Sequence, residues 1–257
     1  MDTLPPIVFV TGATTEVGKT VVTAGLIAAC RAAGKNVVGL KPLCSGGRDD
    51  AEAIFEAQDG VLSLDEINPF SFNEAVAPSL ASAREGVKVG LGDVVELVKQ
   101  VRSRRFDAVV VEGAGGLLSP LGDGWDLRDL MGCFPGSGAV VVVEDQLGAI
   151  GISRLMSDAL KGLAAKVSWL LNSTSINDSS ALENRRLIKR WLNCEAVEEL
   201  PYISQKAKEN ELFENFQKKF KKTIAQAFEN DSFLPLSIRD EDERQKFNQK
   251  FSKAINL

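Results

Sequence analysis

The chain is 257 residues long, carries a formal net charge of −5 and contains no histidine. The missing imidazole excludes Ser-His-Asp and Cys-His nucleophile systems and His-ligated zinc or haem, so catalysis falls to lysines, carboxylates, hydroxyls, thiols, backbone amides or a bound ion. With a pI near 5.1 there is no global basic field for nucleic acid, and the longest apolar stretches, such as Ala139–Val143, fall far short of the roughly 20 residues of a membrane span. The N-terminus has no basic region ahead of its apolar run, and Cys30, Cys44, Cys133 and Cys194 form no C-x-x-C pair. The expectation is a cytoplasmic, reduced protein with no structural metal, no nucleic-acid partner and no membrane attachment.

Through the first two-thirds of the chain, short β-branched runs alternate with longer helical patterns. Ile7–Thr11 predicts a strand and Lys19–Ala33 a helix, stopped by Gly34. Asn36–Leu40 predicts the next strand, and Asp50–Ala57 a short helix ending near Gly60. Asp93 is expected to cap a helix carrying Val94, Val95, Leu97, Val98 and Val101 at helical spacing. Strands follow at Ala108–Val111 and Ala139–Val143, then a helix at Ile150–Leu163, a strand at Val167–Leu171 and a helix at Ser180–Leu192. This β-α-β alternation predicts a mostly parallel sheet with helices on both faces, and continuously apolar strands fit burial on both sides.

The last 55 residues differ in charge: from Ile203 onward Lys+Arg outnumber Asp+Glu by 11 to 9, against the acidic balance of the whole. Phe213, Phe216, Phe220, Ile224 and Phe228 share one helical face. Asp240 and Glu243 resemble a capping box before a second helix with Phe247, Phe251 and Ile255. Apolar faces at helical spacing usually meet a core, so residues 206–257 are expected to be a helical extension packed on the domain formed by 1–205, rather than a membrane-surface element.

The segment Gly12-Ala-Thr-Thr-Glu-Val-Gly18-Lys19-Thr20 follows the first strand and opens the first helix, which is the context a phosphate-binding loop requires. Backbone amides and the helix N-terminus would hold phosphate oxygens. Lys19 would bridge β- and γ-phosphates, and the Thr20 hydroxyl would ligate Mg²⁺. Five residues separate the two glycines where the usual pattern has four, so Ala13 stands at the first-glycine position. Glu112 ends the strand Ala108–Val111 before Gly113-Ala-Gly-Gly, and a carboxylate there points into the crevice where such sheets bind ligands. Asp50 is either a third metal ligand or a helix N-cap. Lys41, fixed by Pro42 at the end of the second strand, reaches the same crevice or lies solvated.

Taken together, TGATTEVGKT, GLKPLCSGGRDDA, NPFSFNEAVAPSLASAREG and VVVEGAGGLLSPL resemble dethiobiotin synthetase in order and spacing, and VVEDQLGAIG, LLNST and ELPY continue the match over roughly residues 5–205. The resemblance implies an α/β fold of the P-loop NTPase type and an ATP- and Mg²⁺-dependent cyclo-ligase. That activity joins 7,8-diaminopelargonate and CO₂ (or bicarbonate) into dethiobiotin and releases ADP and phosphate.

By the same resemblance Lys19 and Lys41 flank carbamate and γ-phosphate, and Thr20, Asp50 and Glu112 ligate Mg²⁺. Thr15 and Ser45 lie on the substrate side. Thr15, Glu16, Val17, Gly18, Lys19, Thr20 and Val21 surround the nucleotide phosphates, with Asn172 and Pro201 at the adenine. The family acts as a homodimer, in which Gly148, Ala149, Ile150 and Gly151 of one chain would offer amides to a substrate carboxylate in the other. The chain departs from the family at Ser79, where histidine is common, at Gly151-Ile152, where Asn-His is common, and at Ser173, where aspartate is common. A related P-loop amidoligase of the cobalamin type and a catalytically silent nucleotide-binding dimer are the alternative readings. The EGAGG and NPFSF blocks favour the first assignment over the amidoligase, and the intact lysines, Thr20 and carboxylates favour it over a silent dimer.

Overall fold

The computed structural model describes residues 4–173, 181–194 and 197–200. Their elements run, in order, β1 (Ile7–Gly12), α1 (Lys19–Ala32), β2 (Val37–Leu40), β3 (Leu43–Ser45), α2 (Asp49–Ala57), α3 (Leu64–Ile67), β4 (Phe70–Phe72), α4 (Pro78–Arg84), α5 (Leu91–Arg102), β5 (Ala108–Glu112), α6 (Leu127–Gly132), β6 (Gly138–Glu144), α7 (Ala149–Ala159), β7 (Lys166–Asn172), α8 (Ala181–Leu192) and β8 (Val197–Leu200). The extension proposed for 206–257, its phenylalanine stripe, and Pro201 lie outside the described residues.

Six strands form one sheet in the order β2-β5-β1-β6-β7-β8, and every pairing in it is parallel. β1, β2 and β5 are buried at every position. Such strands must be covered on both faces, which is what their unbroken Val/Ile/Leu character required. Each buried aliphatic side chain contributes roughly 1.5–3 kcal/mol of transfer free energy. The chain leaves β1 for β2 on one side and later returns to β6 on the other. β1 is therefore the switch point, and the crevice beyond its carboxyl end is where ligands bind in such sheets. β3 and β4 pair separately, in parallel, just beyond the end of β2.

Local chemistry explains the boundaries. α1 ends in a Schellman turn: Gly34 sits at φ 76°, its N–H donates to Arg31 O at 2.9 Å, and Lys35 N–H donates to Cys30 O at 3.0 Å. Asp93 is not the cap of α5. It lies one turn in, where its carboxylate accepts from the Gly90 N–H at 2.8 Å, so the helix starts earlier than expected. α7 stops at Ala159, short of Leu163, because the chain turns through Gly162 at φ 80°. The short elements β3, β4, α3, α4 and α6, and the edge strand β8, were not anticipated. All four cysteines are free thiols, and no described helix is long and apolar enough to cross a membrane.

Candidate active site

Four strands end along the same edge of the parallel sheet, around the phosphate loop. β1 ends in Gly12 and leads into the phosphate loop, β2 ends at Leu40 before Lys41, β5 ends in Glu112, and β7 ends in Asn172. A Cβ at Gly12 would lie 2.7 Å from Val17 Cγ2 and 2.8 Å from Val142 O. Close packing of the loop against the sheet therefore requires glycine at the strand end, even though Ala13 takes the first-glycine position. Glu16 and Gly18 both adopt left-handed backbone, at φ 61° and 91°, a geometry that turns successive N–H groups towards an anion. α1 has no side-chain cap and no acidic residue in its first turn, so its leading amides and dipole are uncompensated.

Lys19 is buried and donates to Thr14 O, across its own loop, at 2.7 Å. Burial, reinforced by Lys41, lowers its pKa to about 8. Lys41 is also buried, and Nζ lies 2.6 Å from Glu112 Oε1 and 2.7 Å from Asp50 Oδ2. Burial alone would lower its pKa, but the two carboxylates outweigh that and hold it above the ordinary lysine value. Asp50 shows the converse: burial pushes its carboxyl up, and Lys41 with Thr20 brings it below the usual aspartate value. The Thr20 hydroxyl lies 2.7 Å from Asp50 Oδ1 and 2.8 Å from Glu112 Oε1, so its single proton serves one carboxylate at a time. Asp50 lies within the first turn of α2, with its side chain turned to Thr20 and Lys41; Arg48, not Asp50, is the cap residue.

Thr20, Asp50 and Glu112 present one hydroxyl and two carboxylates at a single point. Glu112 Oε2 is buried without a hydrogen-bond partner. An oxygen-rich cluster with few carboxylates and an unsatisfied buried oxygen fits Mg²⁺, which keeps several waters and takes remaining ligands from phosphate.

Beside this cluster lies a cavity of about 480 Å³, lined by Thr15, Glu16, Gly18, Lys19, Thr20, Val21, Lys41, Asp50 and Glu112 among others. A second, of about 210 Å³, is lined by Thr15, Lys41, Asp50, Ser45, Cys44 and Gly115 among others. Thr15, Lys41, Asp49, Asp50 and Gly115 line both. Val17 is buried under the loop. Ser45 reaches the smaller cavity with its hydroxyl already donated to Val76 O at 2.6 Å. The Asn172 side-chain amide donates to Val17 O at 3.0 Å and backs onto Gly18. Gly148, Ala149, Ile150 and Gly151 line neither cavity of their own chain. They form the start of α7, where Gly148 is left-handed at φ 100° and no side chain caps the helix.

Sequence reasoning did not single out Asp49, Ala53, Cys44 or Gly115 as lining residues; their signal was adjacency to Asp50 and membership of the CSGG and GAGG blocks. The Gly113–Gly116 segment lies directly on the phosphate loop. Leu117 N–H donates to Gly12 O at 2.8 Å, and a Cβ at Gly116 would fall 2.2 Å from Ala13 O. Of the three departures, Ser79 is the second residue of α4 and donates its N–H to Pro120 O, Gly151 is exposed while Ile152 packs half-buried on the core, and Ser173, just past β7, donates its N–H to Leu200 O at 3.0 Å.

A family model described as an AAA domain matches residues 7–210. The ATP-dependent dethiobiotin synthetase BioD of Anaeromyxobacter sp. (strain K) is 40% identical over 201 residues, covering 76% of this chain and 89% of that protein. The protein of the same name from Pseudomonas paraeruginosa (strain DSM 24068 / PA7) is 33% identical over 208 residues, covering 77% and 91%. The chain belongs to the dethiobiotin synthetase family. It is a P-loop, ATP-dependent ligase. Among solved structures, a ParA family ATPase from Chlorobium tepidum TLS superposes with a TM-score of 0.51 at 12% identity, covering 91% of this chain and 99% of that one. That likeness concerns the fold alone.

Proposed function

We propose that this ligase closes the ureido ring of dethiobiotin from 7,8-diaminopelargonate, CO₂ and ATP, with Mg²⁺ as its metal. One amine of the substrate takes up CO₂ and sheds a proton, giving a carbamate. The carbamate oxygen bonds to the γ-phosphorus as the bond to ADP breaks, giving a carbamic-phosphoric anhydride. The second amine bonds to the carbonyl carbon and loses a proton, and phosphate leaves with the electrons of the broken C–O bond.

The observation that carries this reading is the junction of the two cavities at Lys41 and Thr15. The larger adjoins the phosphate loop and suits the nucleotide, and the smaller, beside Ser45, suits the carbamate end of the diamine. Lys41 would then sit where anionic carbamate and γ-phosphate meet, and Lys19 on the β,γ side. Positive charge already in place costs no reorganisation when charge develops in transfer. Because the Ser45 proton is committed to Val76, its free lone pairs would accept from a substrate amine. Thr20, Asp50 and Glu112 would hold Mg²⁺, which supplies neutralisation of the phosphates. The amides of Glu16 through Val21 would bind the phosphates, and Asn172, with Pro201, the adenine.

The reading extends to a homodimer. Gly148–Gly151 line neither of the two cavities of their own chain, and their uncapped helix start suits a substrate carboxylate offered by a second copy. Leu147, just before α7, and Leu155, on it, are exposed apolar side chains at 84% and 72%, which a second copy could cover. The test is phosphate release from Mg-ATP and bicarbonate with and without 7,8-diaminopelargonate, with dethiobiotin measured as product. Diamine-independent hydrolysis would favour another amidoligase, and no turnover by folded protein a silent nucleotide-binding dimer.

A further inference from the structure

Lys41 has a peptide group bracketed from one side of the fold, by residues that line neither cavity. Its N–H donates to Ile67 O at 3.0 Å. Its carbonyl oxygen accepts from Asn68 Nδ2 at 2.7 Å, and Asn68 is 1% exposed. The next residue is Pro42, which has no N–H, and Pro42 O accepts from Phe70 N–H at 3.2 Å. Asn68 is itself fixed: its Oδ1 accepts from Arg48 Nε at 3.2 Å, and its backbone oxygen accepts from Arg48 Nη2 at 2.9 Å. Arg48 Nη2 also donates to Leu64 O at 2.9 Å. Arg48 is the cap residue of α2, whose first turn carries Asp50.

We propose that Asn68, oriented by Arg48, is a positioning residue that fixes the Lys41 ammonium relative to Asp50 and Glu112. The inference rests on the catalytic reading of Lys41 given above. Both ends of the ion pair Lys41–Asp50 are tied to the same guanidinium: Asp50 through the start of α2, and Lys41 through the Asn68 amide. A buried amide with donor and acceptor both engaged holds one orientation. A lysine side chain has four rotatable bonds and no planar fork, so its placement depends on the backbone that carries it. An arginine in place of Asn68, or a lysine in place of Arg48, cannot reproduce this pattern of directed donors.

Asn68→Asp separates positioning from packing. It keeps the shape and strengthens the pairing with Arg48, but turns an acceptor oxygen towards the Lys41 carbonyl. In the diamine assay this variant is expected to lose about 10- to 100-fold in kcat, the scale of a misplaced catalytic group, while KM for Mg-ATP stays within about twofold. In a Lys41→Gln background the same change is expected to cost nothing further, because its effect passes through the ammonium. A crystal of Asn68→Asp should show Lys41 Nζ displaced from Glu112 Oε1, an outcome that does not depend on which substrate the enzyme uses.

Full turnover in Asn68→Asp beside an active wild type, an additive loss in the double variant, or an unmoved Nζ would each overturn the inference. An inactive wild type would instead sink the assigned reaction and leave the crystal to decide the positioning role. Should Asn68→Asp fail to fold, Arg48→Lys gives the same reading: a fall in kcat without a rise in KM for Mg-ATP supports the role, and unchanged kcat contradicts it.

Discussion

At the residue scale the site holds two lysines whose pKa values are shifted in opposite directions. Lys19 is depressed to about 8 by burial and by Lys41, whereas the carboxylates hold Lys41 charged. A polyphosphate bound at the loop raises the Lys19 pKa, so nucleotide binding near pH 8 takes up a proton, and affinity falls as pH rises above about 8. Calorimetry of ADP binding in buffers of different ionisation enthalpy checks this; equal apparent enthalpies in all of them at pH 8 would contradict it.

Lys41→Gln is expected to cut turnover by orders of magnitude, as loss of an electrostatic stabiliser often costs about 3 kcal/mol or more in the transition state. It also leaves Glu112 buried without its cation, which typically costs about 3–5 kcal/mol of stability. Unfolding of Lys41→Gln against the double variant Lys41→Gln/Glu112→Gln checks the second effect: the double variant should recover much of the loss. Equal stability of the two would show that the pair is not the source.

At the element scale, function is a matter of how loops sit at strand ends. Gly116 must be glycine because the GAGG turn rests on Ala13 O. Gly116→Ala is expected to push that turn off the phosphate loop and weaken nucleotide binding by tenfold or more, about 1.4 kcal/mol; unchanged ADP affinity by titration would refute the coupling. β2 is an edge strand, yet its Gly39 N–H is satisfied by Gln58 Oε1 at 2.9 Å from the end of α2. Gln58→Leu leaves that donor buried and unpaired, at a cost of about 1–3 kcal/mol by denaturant unfolding.

The long buried strands and helices α1 and α8 were legible because continuous β-branched runs and 3.6-residue periodicity have no other reading. β3 and β4, of three residues each, carry no such pattern; they exist because the chain past Lys41 pairs with the segment past Asn68. Asp93 looked like a cap because an acid before an apolar run usually is one, but the same acid serves equally well at the third helical position when glycine precedes the helix. For the site, the phosphate loop, Lys41 and Glu112 were readable from spacing and strand ends. The link from Arg48 through Asn68 to Lys41 was not, since it joins residues whose distance in sequence says nothing of their contact.

At the scale of the whole molecule, the described residues bring the phosphate loop and the oxygen cluster that fits Mg²⁺ together, and leave the start of α7 outside the two cavities beside them. The homodimer proposed above would account for that division. Sedimentation should give twice the 27.7 kDa chain mass, and Leu155→Glu, placing charge on the exposed α7 surface, should shift it towards the single chain and weaken diamine binding more than ADP binding. A monomeric wild type with full activity would contradict the shared site. The ligase reading stands or falls on the diamine dependence of turnover: with Mg-ATP and bicarbonate, stoichiometric phosphate and dethiobiotin are expected only when 7,8-diaminopelargonate is present. Phosphate release indifferent to the diamine, from protein shown to be folded, would contradict it.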